Sequence, residues 1–526
     1  MAQQLYFSRD SKLYVEFDNQ VWEVPVLDGF SFSQSTNTSD ITLAEMQGSD
    51  GISRRGRRLF TDSLAPAEWS FSTYVRPFYS GSEHHAVEEV LWAAMAGADK
   101  FGTVSSAGSI DAVALTTDTA TDREQGTYVV DADDTTYSGS AGTGATFQIS
   151  VNSSGTANAV QVVSGGTDYT ATETFTVPAS LVGGGTGTLT VTISTVDAGS
   201  SYAFYRNANV DANSDFGEFV SMPTDANNSI NFGQSNRSVL ADFNLYFVME
   251  TSTSKPMVYK LENAAVNEAS IDFDVDGIAT INWSGFAKNI KDRQSAGDVI
   301  SNTTAFSSQA GTAGQIHLKT DSDMQFSLFT STGTGTGVTA VDSGVDSTAN
   351  FIRNRLTQAI VSTTDTTAFG SGDYYLTLTG GNVTISNNIT YLVPEELGNV
   401  NIPIEGVTGG RTVTGNFTCY LTLDTAGADK GSSVDLFNDM TESGAGLDKV
   451  VNDFQVTFQV GGSTAGDPRL YINMPKVHID VPVHSVEDVI SVETGFGAYT
   501  NDFDKADEFV LTYYGDTTTA NQVTYP

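Results

Sequence analysis

The chain has 526 residues, with 25 Lys and Arg against 63 Asp and Glu, a formal net charge of −38 at pH 7. That acidity argues against tight binding of a phosphate backbone, which depends on Lys and Arg, and a single cysteine, Cys419, excludes an internal disulfide framework or a Cys-rich metal site. Hydrophobic residues make up 39% of the chain, with 30 Phe and 20 Tyr, enough to build cores for about three or four domains.

From the N-terminus, MAQQLYFSRDSKLY lacks the apolar stretch of a signal peptide. No apolar run reaches the ~18 residues that a membrane helix requires. Leu13–Phe17 alternates apolar and polar residues and predicts a strand, as do 69–75 (WSFSTYV) and, much later, Phe454–Phe458. Between the first two lies Ser53-Arg54-Arg55-Gly56-Arg57-Arg58. Its four arginines, Arg54, Arg55, Arg57 and Arg58, repel one another unless carboxylates come near, and the guanidinium fork suits bidentate contact with them. The loop reads as a subunit contact, with a solvated charged hairpin or a nucleic-acid or membrane contact as alternatives. A helix is predicted over Glu83–Ala96, where Val87, Val90, Leu91 and Met95 fall on one face. Ser82 is its expected cap and Gly97 its expected stop.

The most informative feature is an internal duplication. Phe32 matches Ile385; Phe71 and Tyr74 match Phe417 and Tyr420; Leu91, Trp92 and Met95 match Leu436, Phe437 and Met440. Asp242–Phe247 then matches Asp453–Phe458, and Pro256, Tyr259 and Gly285 match Pro468, Tyr471 and Gly497. The separation between matched residues falls from 345 to 211 after the helix, so the first copy carries an insertion of about 134 residues there. The division that follows is a discontinuous first domain (1–100 and 241–295), an insertion over 101–240, and a second domain over 346–526. Within the insertion, about 126–195 reads as a small β module. Residues 296–345, rich in Ser, Thr and Gly, read as linker or loop. Two unrelated β-sandwiches of similar composition are the alternative to duplication.

Motifs of chemistry are sparse. Asp272–Gly277 mimics the start of an EF-hand loop, but its twelfth position is Trp283 rather than an acid. Gly142-x-Gly144 and Gly183–Gly185 precede no helical pattern and read as turns. His478, Asp480 and His484 share one face of a strand, where surface polarity is the ordinary explanation and a metal site the other. His84-His85 lacks the i, i+4 spacing of a zinc helix. Nothing marks a nucleophile with its base, so the chain is read as no enzyme and as needing no cofactor.

The stretches FSFSQSTNTSDITLAEMQG, SRRGRRLFTDSLAPAEWSFSTYVRPF with HAVEEVLWAAMAG, and MVYKLENAAVNEASIDFDVDGIATINWSGFAK resemble the phage tail tube (major tail) proteins. RLYINMPKVHIDVPVHSVEDVISVETGFGAY looks like the second copy's counterpart of the last. The resemblance implies a mainly β fold: two tandem sandwich or barrel domains, each with a flanking helix, plus the inserted all-β module. It implies self-assembly through sheets that join around a ring of usually six domains, hence homotrimeric, pseudo-hexameric rings that stack into a tube. It also implies contacts through the Arg54–Arg58 loop to the neighbouring ring, and partners among tail proteins such as the tape measure, the terminator, and the baseplate or tip. DNA would pass through the lumen without specific binding, and no membrane would be involved. The location implied is the virion tail, assembled in the host cytoplasm, with the insertion on the outside of the tube. The rival readings are another β-rich fibre, decoration or surface-layer protein, and a glycan-active enzyme.

Overall fold

The computed structural model describes residues 6–8, 11–17, 20–41, 58–80, 83–96, 110–139, 141–196, 229–231, 243–249, 257–274, 276–293, 298–319, 325–329, 332–334, 337–341, 350–363, 373–392, 403–423, 432–441, 454–461, 467–480, 483–485, 489–500 and 508–518. The chain is mainly β and divides into two units, 1–101 with 204–526 and, separately, 102–203.

In the larger unit, alternating apolar residues build two sets of strands. The first comprises β1 (Ser11–Phe17), β2 (Gln20–Val24), β3 (Ser31–Ile41), β4 (Arg58–Tyr74), helix α1 (Glu89–Ala96), β5 (Phe243–Met249), β6 (Met257–Asp274), β7 (Thr280–Ala287) and β8 (Asn289–Asp292). The second comprises β9 (Gln358–Thr363), β10 (Asp373–Leu376), β11 (Leu378–Ser386), β12 (Thr412–Tyr420), helix α2 (Ser433–Thr441), β13 (Phe454–Gly461), β14 (Arg469–Ile479), β15 (Val483–Ser485), β16 (Ser491–Ala498) and β17 (Val510–Tyr514).

The antiparallel pairings of the first set run β2-β1-β5-β6-β7-β4-β3. Those of the second run β10-β9-β13-β14-β16-β12-β11, the same order with like strands in like places. The helix follows the fourth strand in each. Burial agrees as well: β7 and β16 share one inside–outside pattern over eight residues. This register corrects three of the sequence matches. Phe32 lies opposite Trp69 and Val383 opposite Gly415, so Phe32 corresponds to Val383 rather than to Ile385. Gly285 likewise corresponds to Phe496, not Gly497, and Tyr259 to Ile472, not Tyr471. Shifts of one or two residues are invisible to composition, because strand sequences repeat every second residue.

Phe71, Leu91, Trp92, Met95, Phe417, Leu436 and Phe437 are buried in one core that both copies share, and Met440 packs partly buried against it. Two proposed core positions are corrected: Tyr74 is only half-buried, and Tyr420 is 41% exposed. The predicted helix also begins late. Glu83–Ala86 is a strand paired with Pro77–Ser80, where His85 stacks on Phe78 and His84 packs edge-on to Tyr79. Glu89 then reaches back to accept from the Ala86 N–H at 3.2 Å, which fixes the helix start.

The expected linker over 296–345 contains strands among its described residues. Val299–Asn302, Ile316–Lys319, Gln325–Phe329 and Gly337–Val341 pair with one another and with β2. Ile316, Leu318, Phe326 and Leu328 bury the outer faces of Tyr14 and Tyr246, with Phe326 stacked 4.7 Å from Tyr14. Its Ser and Thr content masked four short apolar alternations.

The smaller unit packs a three-stranded sheet (126–131, 143–151, 157–167) and a four-stranded one (110–118, 136–137, 174–177, 189–196) around Phe147, Ile149, Phe175, Val191 and Ile193. Its first strand starts at Ile110, earlier than the 126 read from the sequence. Arg123 is buried within this unit. Its guanidinium donates to Asp118 Oδ1 at 3.1 Å and to the carbonyls of Gly184 and Gly187 at 2.8 and 3.1 Å. Burial raises the Asp118 pKa, but hydrogen bonds from Arg123, Ala157 and Ala120 outweigh it and hold the carboxyl below its ordinary value. That stabilisation is present at neutral pH and lost as the pH falls through the lowered value. Arg123→Ala leaves a buried carboxylate unpaired and is expected to cost this unit about 3–5 kcal/mol. Limited proteolysis at neutral pH checks it: first cleavages should fall within 102–203.

Candidate assembly edges

Edge strands expose unpaired N–H and C=O groups, and this fold handles its edges unequally. The two copies meet edge to edge: β6 pairs antiparallel with β11 from Glu268 opposite Ser386 to Asp274 opposite Gly380. Ser270 Oγ and Thr384 Oγ1 lie 2.9 Å apart across this joint. Buried Asn387 pins it at one end, donating at 3.1 Å to the carbonyls of Met95, on α1, and Val266, on β6. One sheet thus runs from the first copy into the second.

A short stretch ahead of β9 closes the other end. Ala279 donates to the Ile352 carbonyl at 3.1 Å, Asn354 donates to that of Gly277 at 3.2 Å, and Ile278 bridges to Arg353. The Phe351 ring packs edge-on to Tyr74 at 5.4 Å, under the Arg76 guanidinium. Arg355 bonds Asp276 at 2.9 Å.

The equivalent edges at the far sides of the two copies have no strand partner among the described residues. β3, the counterpart of β11, pairs only with β4. β15, opposite Val492 through His484, occupies the place that Ser270–Asp272 holds in the first copy, and pairs only with β16. Sequence reasoning did not find this joint, because strand alternation marks an edge without naming its partner.

Helix α1 lies beside the joint and is tied to the last strand of the second copy. Trp92 Nε1 donates to the Tyr513 hydroxyl at 2.8 Å, and that hydroxyl donates to Glu88 Oε1 at 2.8 Å. Burial pushes the Glu88 pKa up to about 7, although Tyr513 and the nearby Arg76 charge pull it back. A carboxyl whose folded pKa is raised binds protons more tightly in the folded state. Stability is therefore lost as the pH rises from about 4.5 to 7. Glu88→Gln keeps the acceptor for Tyr513 without the charge. Its melting temperature is expected to match the parent's near pH 4.5 and to exceed it at pH 8, by up to about 3 kcal/mol in stability. Paired melts across that range check the sign.

Of the arginine cluster, Arg54, Arg55 and Arg57 lie outside the described residues, and Arg58 opens β4 opposite Ile41. Leu59 and Phe60 beside it are 64% and 56% exposed. In the second copy the β11–β12 connection carries a small hairpin (390–391 with 406–407) on which Leu392, Ile404 and Val407 are exposed. His478 and Asp480 approach to 3.9 Å on the surface, and His484 lies on β15. The Asp272–Asp274 motif is part of strand β6.

The chain is 25% identical over 283 residues to the tail tube protein pb6 of Escherichia phage T5, a stretch covering 54% of this chain and 50% of that protein. It therefore spans about half the length of this curated relative. No family model matches the chain. The relationship supports the tail tube resemblance drawn from the sequence.

Proposed function

We propose that this protein is a structural subunit of a phage tail tube, in which three chains close into a ring of six like sheets and rings stack into a hollow conduit for DNA. The observation that carries this reading is the β6–β11 joint. Two copies of one strand order are already fused edge to edge, and two further edges, β3 and β15, present the two halves of a second such joint. Repeating the joint between chains sets Val483 opposite Ser33, His484 opposite Phe32 and Ser485 opposite Ser31. A head-to-tail contact of this kind makes closed rings when its rotation closes, and closure removes the edges that otherwise invite uncontrolled pairing. Similarity to a tail tube protein supports the same reading.

The remaining assignments follow from it. The chain would reside in the virion tail, assembled with other tail proteins in the host cell. The Arg54–Arg58 loop and the exposed Leu59 and Phe60 would contact the next ring. An excess of carboxylates in the conduit would repel phosphate, so that DNA passes without adhering. Negative-stain imaging of the purified protein tests the proposal. Stacked rings or smooth hollow tubes are expected; persistent monomers or solid fibres would overturn it.

A further inference from the structure

The joint between the two copies has a second component beside the paired strands, and each of its two parts has a counterpart elsewhere in the chain. Residues 352–354 lie along Gly277–Ala279 as a clasp, just before β9. The register of β9 on β13 matches that of β1 on β5, which places Ile352, Arg353 and Asn354 in correspondence with Tyr6, Phe7 and Ser8. Tyr6 and Phe7 are 42% and 48% exposed.

The surface such a clasp covers is also duplicated. Val75 donates to the Ala279 carbonyl in the first copy as Leu421 does to that of Ile490 in the second, at 2.9 and 3.0 Å. Ile278 and Ala279 therefore correspond to Val489 and Ile490, and Tyr74 to Tyr420. Under the clasp Ala279 is fully buried; in the second copy Val489 is 59%, Ile490 39% and Tyr420 41% exposed. Leu423 beside them is 66% exposed. Apolar side chains gathered at a strand end are what a partner covers.

We propose that the segment around Tyr6–Ser8 of one chain binds the Val489–Ile490 edge of its ring neighbour, as an exchanged clasp. The proposal rests on the ring reading above and adds a second contact to the β3–β15 joint. By the internal precedent, Ile490 N–H donates to the Tyr6 carbonyl, Val489 lies opposite Phe7, and Tyr6 and Phe7 cover the apolar patch. The mode is addition of a short strand, in which backbone hydrogen bonds hold the segment and side chains select it.

Paired cysteines in the full chain test it, joined by oxidation or a short bismaleimide, since opposed strand residues bring their Cβ atoms within ~5.5 Å. Phe7→Cys with Val489→Cys reports the clasp, and Ser33→Cys with Val483→Cys reports the ring joint. Ile278→Cys with Arg353→Cys is the intrachain control and should close without a change in mass. The buried Cys419 stays in place. The clasp predicts dimers and trimers, and nothing larger, from both test pairs. Ladders from 33/483 with none from 7/489 overturn the clasp and leave the ring standing. Closure of 7/489 within a single chain overturns it as well. Failure of both pairs, with the control closing, overturns the ring and the clasp together.

Discussion

Trp283→Ala is expected to destabilise the larger unit by about 3–5 kcal/mol, among the largest effects of any single substitution in this protein. Trp283 is 1% exposed on β7, opposite Phe71 on β4 and Ala269 on β6. Its ring meets Trp92 of α1 edge-on at 4.6 Å, and its indole N–H donates to buried Thr73 Oγ1 at 3.0 Å. Alanine would open a cavity between sheet and helix and remove the donor to Thr73. It would also loosen Trp92, which holds the Tyr513–Glu88 chain across to the second copy. Trp283→Phe retains most of the apolar volume and should recover more than half of the loss. Urea denaturation of the three proteins measures this; an alanine variant within 1 kcal/mol of the parent would refute the anchoring role of the Trp pair.

Gly285→Ala and Gly415→Ala are expected to be among the more damaging of the smallest substitutions. The two copies fill the same cross-strand position in opposite ways. Gly285 faces Trp69 in the first, whereas Gly415 faces Phe496 in the second, so the large and small partners have exchanged strands. A Cβ at 285 would stand 2.1 Å from the Ala265 carbonyl oxygen and 2.5 Å from the Trp69 ring. At 415 it would stand 2.2 Å from the Asn382 carbonyl oxygen and 2.5 Å from the Phe496 ring. Strands must move in both cases, at a cost of about 1–3 kcal/mol or more. The backbone contact sets a specific expectation. Trimming the aromatic, with Trp69→Ala or Phe496→Ala, should not rescue the matching glycine variant, because the carbonyl clash persists. Recovery of stability in either double variant would show that the ring alone demands glycine there.

Much of this architecture was legible in the sequence. Alternation at Leu13–Phe17 and 69–75 predicted strands, and the repeated aromatic and helical positions exposed the duplication. The errors have physical causes. Strand period two leaves register open, so the sequence alone pairs Phe32 with a residue two positions from its structural counterpart, Val383. Glu83–Ala86 carries helix-compatible residues, but pairing with Pro77–Ser80 and the stacking of His85 on Phe78 hold it extended. Short strands diluted by Ser and Thr made 296–345 read as linker. The β6–β11 joint could not be foreseen, since which edges meet is decided by tertiary packing. The clasp did leave a trace: LYFSRDSKLYV at 5–15 aligns with FIRNRLTQAIV at 351–361, sharing an arginine at the fifth position and a valine at the last.

In the proposed ring, one chain supplies two of six equivalent sheets. Averaged end-on images of the assembled protein test this arrangement. Rings containing three chains, with six near-equivalent repeats around the inner wall, are the predicted result. Rings containing six chains, or particles in which β3 and β15 of neighbouring chains do not meet, would contradict it.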